Sequence, residues 1–389
     1  MIAVRALDLD CPVVTAGDIA VNNLESARRQ SWSRFWQDPQ RPGIAEYIVE
    51  QEQFMAQYVG DLGALERLDG LVDQLDRVGA DEMRTALIRA QVASMGHRFA
   101  EARDYLVQAE ACGAPQADVD RVVLSIDQAC GTNLESVLEA RRKMAAESER
   151  LEDLVPLGGL LADLREFEEA DTVYRRALSA YQDVSPFAVA WVCFQLGALW
   201  GELVPEPQPD RAARWYEKAI EYLPCYVKAR VHLSEIYLES GNVPDAEALL
   251  IPAVSSGDPE VNWRLADVLA AMGRPTESEA QMQAARSGFE TLLDKYLLAF
   301  ADHGAEFYSG SGNDSQRAFE LAMVNLANRP TLRAFEQAYE TAIGAGEIQA
   351  ASELLISARK RWGGTDGFAR SLLVPAIHAE SQKEKPRDS

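Results

Sequence analysis

Residues 196–224 read LGALWGELVPEPQPDRAARWYEKAIEYLP, and the order of small and bulky side chains in that stretch decides the fold. Leu196 and Gly197 come first, then Trp200, Ala212, Tyr216, Ala219 and Pro224. The same order runs through residues 157–177 as Leu157, Gly158, Leu161, Ala170, Tyr174 and Ala177, and through 233–253 as Leu233, Ser234, Tyr237, Ala246, Leu250 and Ala253. Ala109, Lys143 and Ala177 fall on one phase at equal intervals. Two antiparallel helices approach closely only where side chains are small, so Gly158, Gly197, Ala213 and Ala219 read as gaps and Tyr174, Tyr216 and Leu250 as the groups that fill the neighbouring grooves. One such hairpin cannot bury its apolar face alone, so about three or more must stack.

This pattern resembles the tetratricopeptide repeat, a unit of about 34 residues with a Leu-Gly pair, an aromatic, then Ala, a bulky residue, Ala and often Pro. The resemblance implies an all-α fold, an α-α superhelix of about eight or nine helical hairpins. Further units continue the phase: Ala102, Leu106 and Ala109 close one opened near Met83, Leu68, Val72 and Leu75 mark a weaker one, and Ala285, Asn325 and Ala358 extend the series. We expect an N-terminal cap over residues 1–41, the solenoid over 42–364, and a C-terminal cap with a disordered charged tail over 365–389. The cap is expected to be helical from Asp18 to Trp36, with Trp32, Phe35 and Trp36 covering the first hairpin's apolar face.

Departures from strict spacing carry information. The run Val204-Pro205-Glu206-Pro207-Gln208-Pro209-Asp210 holds three prolines that stop a helix, and reads as a protruding loop. The lengthening between Gly288 and Leu298 is apolar and reads as one longer helix. Gly310 to Asp314 reads as a turn, and Asp302 and His303 stand where small or apolar residues are common.

With 61 acidic and 38 basic residues the chain carries a formal charge of −23, which repels phosphate backbones, so nucleic acid is not an expected ligand and a basic partner is. No run of eighteen apolar residues and no export-signal pattern is present, so no membrane partner is expected and cytoplasmic residence is the expectation. The five cysteines, Cys11, Cys112, Cys130, Cys193 and Cys225, are scattered and never form CxxC, which supports neither a disulfide framework nor a zinc site. No phosphate-binding Gly loop, nucleophile elbow or HExxH occurs. We therefore expect no enzyme, no catalytic residue, no cofactor and no metal. His303 and Glu306 share a helical face, which reads first as a polar inter-helix contact; His232 reads as packing or surface.

In the family the chain resembles, the first helix of each pair faces inward through its second, fifth, ninth and twelfth positions. Carried onto this sequence, the resemblance puts Trp191, Phe194, Lys228, Val231, Glu235, Leu238, Trp263, Asp267, Phe300, His303, Phe307, Arg333, Glu336 and Glu340 on the concave wall. Trp191, Phe194, Lys228, Glu235, Trp263, Asp267, His303, Phe307, Arg333 and Glu336 are the expected partner-binding residues, the rings serving as anchors and the charges as rim contacts. Some tetratricopeptide repeats grip chaperone tails with Lys and Asn on adjacent inner faces; only Lys228 fits, so that activity is not expected. Two functions fit: a scaffold binding a peptide or helix of a partner protein in the groove, or a ligand-responsive regulator holding a small peptide, metabolite or metal near His303.

Overall fold

A computed structural model describes residues 12–377, and among them there is no strand and no cis peptide bond. Residues 1–11, Cys11 among them, and the charged tail at 383–389 lie outside the described residues. Helix α1 (Gly17–Gln37) leads into hairpins α2 (Ile44–Phe54) with α3 (Ala64–Arg77), α4 (Glu82–Met95) with α5 (Phe99–Ala111), and α6 (Gln116–Cys130) with α7 (Leu134–Ser148). The strictest part of the sequence pattern forms α8 (Leu151–Asp163) with α9 (Phe167–Ala180), α10 (Pro186–Ala198) with α11 (Pro209–Tyr222), and α12 (Val227–Glu239) with α13 (Val243–Leu250). Then follow α14 (Pro259–Ala271), the long α15 (Pro275–Ser309), α16 (Ser315–Asn328), α17 (Leu332–Ala345), α18 (Ile348–Trp362) and the short α19 (Asp366–Ala369).

The helices stack in sequential pairs, as the repeat requires. A Cβ built on Gly158 would lie 2.7 Å from the Tyr174 ring, and one on Gly197 only 2.5 Å from Tyr216. Each ring therefore occupies the space a side chain on the facing helix would need, which is why both units set a Gly on the first helix against a Tyr on the second. Leu154, Leu161, Tyr174, Leu196, Tyr216 and Tyr226 join one central apolar cluster. The stretch Pro186–Leu203 is long and apolar enough by composition to cross a membrane, with a mean hydropathy of 1.2, but it packs into this cluster as a core helix.

Two irregularities differ from the sequence reading. The lengthened segment is not one continuous helix: α15 breaks at Tyr296 (φ −136°, ψ 49°), so that residues 275–295 complete the pair begun by α14 and residues 297–309 open the next pair with α16. Apolar, helix-compatible residues run through the break, and only packing against both neighbours reveals it. Trp36 does not cover the first hairpin; it is 57% exposed, whereas Phe35 is fully buried and the Trp32 indole donates to Glu52 at 2.6 Å. The proline-rich run does leave the helix, and a π-turn at Leu199–Leu203 precedes it.

The superhelix turns far enough to meet itself. The turn tips His97, Gly131 and Arg165 are spaced one repeat length apart and all adopt left-handed backbone, with φ of 54°, 62° and 67°. Each touches the C-terminal half. The Asn328 amide donates to the His97 carbonyl (2.9 Å), Arg361 donates to the Gly131 carbonyl (3.0 Å), and Arg165 pairs with Glu336 (2.5 Å). At the opposite rim, Tyr222 donates to the Pro12 carbonyl and Tyr58 packs against Phe187 and Tyr226, so the N-terminal helices seat on the tips of the central hairpins.

Candidate functional site

The first helices of successive pairs, α8, α10, α12, α14, the second half of α15 and α17, line a lumen. Arg333 of α17 lies near enough to Asp163 at the end of α8 and to Glu202 after α10 to act on both electrostatically, which brings non-adjacent helices face to face.

One ladder of charges crosses this wall. The Tyr216 hydroxyl donates to Glu202 (2.7 Å), whose carboxylate lies 2.9 Å from His232 Nδ1, and His232 lies 3.3 Å from Glu235. Glu235 pairs with Arg264, which also reaches Glu306 at 3.0 Å. Burial would raise the Glu202 pKa, but the His232 charge and its hydrogen bond bring it down to about 2. Burial likewise opposes the His232 proton, yet Glu202 and then Glu235 hold its pKa well above the ordinary value. Glu202 owes its place to the π-turn, whose extra residue rotates the side chain off the regular helical phase.

A second ladder runs beside it. His303 Nδ1 lies 2.5 Å from Glu260, and the neighbouring Asp302 pairs with Arg329. Desolvation works against the His303 proton, but Asp302 and Glu260 together raise its pKa to about 9. Burial also works against the Asp302 charge, but His303 and Arg329 outweigh it and hold that carboxyl well below the usual range. The half-buried Lys228 lies close enough to Glu260, Asp258 and His303 to influence all three, yet no ion pair within salt-bridge distance holds it among the described residues. Asp163, exposed to the lumen but surrounded by protein, has its pKa raised to about 6 by desolvation, which Arg333, Arg329 and Arg165 only partly offset. Desolvation also raises Glu306, against the pull of Arg264.

The expected partner-binding residues divide. Lys228, Glu235, His303 and Arg333 face the lumen together, and Asp267, half-buried, accepts from the Ser311 hydroxyl at 2.8 Å. Glu336, only 6% exposed, is engaged with Arg165 and accepts from the Leu372 amide. The rings lie elsewhere. Phe307 is fully buried and stacks on Phe289 with centroids 4.7 Å apart; Trp263 packs edge-on against Phe307 beneath the Arg264 guanidinium. Phe194 is buried against Tyr216, Tyr226 and His232, with the partly buried Trp191 stacked on it. As anchors for a partner Phe194, Trp263 and Phe307 are corrected: they are wall, because each inner helix must also pack sideways against the next pair.

Sequence reading missed Glu202, Arg264, Glu260, Arg329, Arg165 and Asp163, marked Asp302 only as a departure from the repeat pattern, and took His232 for packing or surface. For Glu260 a signal existed, since it holds the same second position in α14 that Lys228 holds in α12 and Arg333 in α17. For Glu202 none did, because a π-turn has no composition of its own. Among the described residues no group of three His, Cys, Asp or Glu side chains is placed to hold a metal.

The architecture defines the class, an all-helical repeat superhelix. Residues 206–256, spanning α11 to α13, match the tetratricopeptide repeat family. No curated protein matches the sequence. Among solved structures, the apo quorum sensor NprR from B. thuringiensis aligns at 13% identity over 87% of this chain and 97% of its own, with a TM-score of 0.43. A human IFIT1 dimer with m7Gppp-AAAA aligns at 15% identity, covering 95% of this chain and 88% of its own, TM-score 0.42. The C-terminal part of a repeat-containing protein from Cytophaga hutchinsonii aligns at 12% identity, covering 75% and 97%, TM-score 0.31. Likenesses this loose carry nothing about ligands.

Proposed function

We propose that the chain is a cytoplasmic protein-interaction superhelix that takes a polar, charged segment of a partner protein into its lumen. The observation that carries this reading is the division of the wall: Phe194, Trp263 and Phe307 are buried between hairpins, while Asp163, Glu306 and Arg333 stand exposed. Lys228, Arg333 and Asp163 stand there without a salt-bridge partner among the described residues. Charges so placed select a partner by complementarity and register more than by raw affinity. The net charge of −23 steers basic surfaces of a partner toward the molecule as a whole, while inside the lumen Lys228 and Arg333 take up acidic side chains of the bound segment.

A second reading, a small peptide or metabolite held near His303, is favoured by the convergence of Glu260, Asp302, Lys228 and Glu306 on that ring. The two part experimentally. Affinity capture from native lysate, run with wild type, Lys228→Glu and Arg333→Glu, is expected to lose protein partners with both variants. Partners kept equally by all three reject the lumen as the protein-binding site. Loss with Lys228→Glu alone, together with a small molecule released on denaturation, favours the second reading.

A further inference from the structure

We infer that the polar seam between the turn tips of the N-terminal half and the C-terminal hairpins is a gate that sets how wide the lumen stands. This inference rests on the reading of the lumen as the binding surface. The seam is unlike every interface between chain neighbours. Consecutive hairpins share buried Leu, Ala, Tyr and Phe. Across the seam the contacts are hydrogen bonds and ion pairs: Asn328 to the His97 carbonyl, His97 Nδ1 at 3.2 Å from the Leu298 carbonyl, Lys295 to Glu66 (3.0 Å), Arg361 to the Gly131 carbonyl, Arg165 to Glu336, and Arg370 to the Arg165 carbonyl (2.6 Å). Apolar contacts there include the Trp362 ring over Gly131 and Leu134, which joins the C-terminal apolar cluster.

Polar groups find water as a substitute partner and apolar ones do not, so the seam is the interface that opens first while each half keeps its own core. The contacts also sit in the right place to matter. Glu336 and Arg333 share α17, one helical turn apart, so the helix that the Arg165 pair holds is the helix that closes the lumen opposite Asp163 and Glu202. Parting the seam swings Arg333 away from both and turns a closed tube into an open slot, through which a segment with folded structure at both ends can enter.

The test uses the whole chain of 389 residues. Small-angle scattering at low and high salt compares wild type, Glu336→Gln, Arg370→Ala and a stapled variant, Leu164→Cys with Gly367→Cys. A Cβ on Gly367 would lie 3.1 Å from the Leu164 carbonyl oxygen, so the two backbones meet at these positions, and formation of the staple is checked by mass before scattering. We expect Glu336→Gln and Arg370→Ala to enlarge the radius of gyration at low salt with helicity unchanged, high salt to enlarge wild type, and the oxidised staple to abolish both enlargements until it is reduced. Lumen access is read separately by alkylating Lys228→Cys with a polymer-linked maleimide, mapping the labelled peptide by mass spectrometry. Labelling is expected to run about tenfold faster with Glu336→Gln than with the intact seam, as a minor open state becomes a major one, and to slow under the staple. Identical scattering and labelling across all four proteins overturn the gate. A gate that opens as described in a protein whose lumen variants lose no partner leaves the gate standing and sinks the binding reading instead.

Discussion

The α10–α11 pair and the Arg165–Glu336 seam are both contacts between helical units, yet they are built from opposite materials. In the pair, Gly197 admits the Tyr216 ring, which is buried against Phe194 and His232. At the seam a guanidinium meets a carboxylate, and carbonyls of left-handed turns accept from Arg361, Arg370 and Asn328. The first kind of contact joins units adjacent in sequence and makes the solenoid; the second joins units from opposite halves of the chain and only bends it shut. Stability and adjustability are thereby assigned to different interfaces.

That contrast can be broken most forcefully through the rings. Phe307→Ala is expected to cost about 3–5 kcal/mol of unfolding free energy, because it opens a cavity beneath Trp263 and Phe289; denaturant titration showing a loss below about 1 kcal/mol would return the ring to the lumen. Gly197→Ala is next, at about 1–3 kcal/mol, since the added methyl meets the Tyr216 ring inside contact distance. Thermal unfolding checks it, and a neutral outcome denies that the glycine is there to admit the ring.

The charged lumen predicts a pH response of a defined sign. His303 titrates near 9 in the folded protein against an ordinary value of 6.5, so the stabilisation from its protonated form is complete below pH 6.5 and is lost as the pH rises to about 9. Melting temperature should fall over that interval in wild type and fall less in His303→Gln. Equal slopes would place the response elsewhere. Smallest of all is Lys295→Ala at the outer edge of the seam, where both partners are more than half exposed: an exposed pair contributes between about 0 and 1 kcal/mol, and the expected change in stability lies within that range.

Much of the fold is legible in the sequence. Leu157-Gly158 with Tyr174, and Leu196-Gly197 with Tyr216, announce helices that touch through a glycine, and the return of alanine at a constant interval announces stacking. Where legibility failed, the cause was packing between units. Tyr296 looks helical in sequence, but the chain must turn there so that residues 297–309 can lie beside α14 and α16. Trp263 and Phe307 sit at inward positions of their helices and were read as exposed anchors, yet a neighbouring pair leans over them. The charged part of the site was half legible: Lys228, Glu235, His303 and Arg333 followed from helical position, while Arg264, Asp302 and Arg329 became visible only when their partners on other helices were in place.

The sequence by itself determined the local rule of this protein, small against large at a fixed interval, because that rule acts between helices close together in the chain and is written in side-chain volume. Only the tertiary structure decided which inward charges meet and where the superhelix closes. Those outcomes depend on small rotations accumulated over many pairs, on a π-turn at Leu199–Leu203 and on a break at Tyr296, and a sum of small angles leaves no mark in any one stretch of chain.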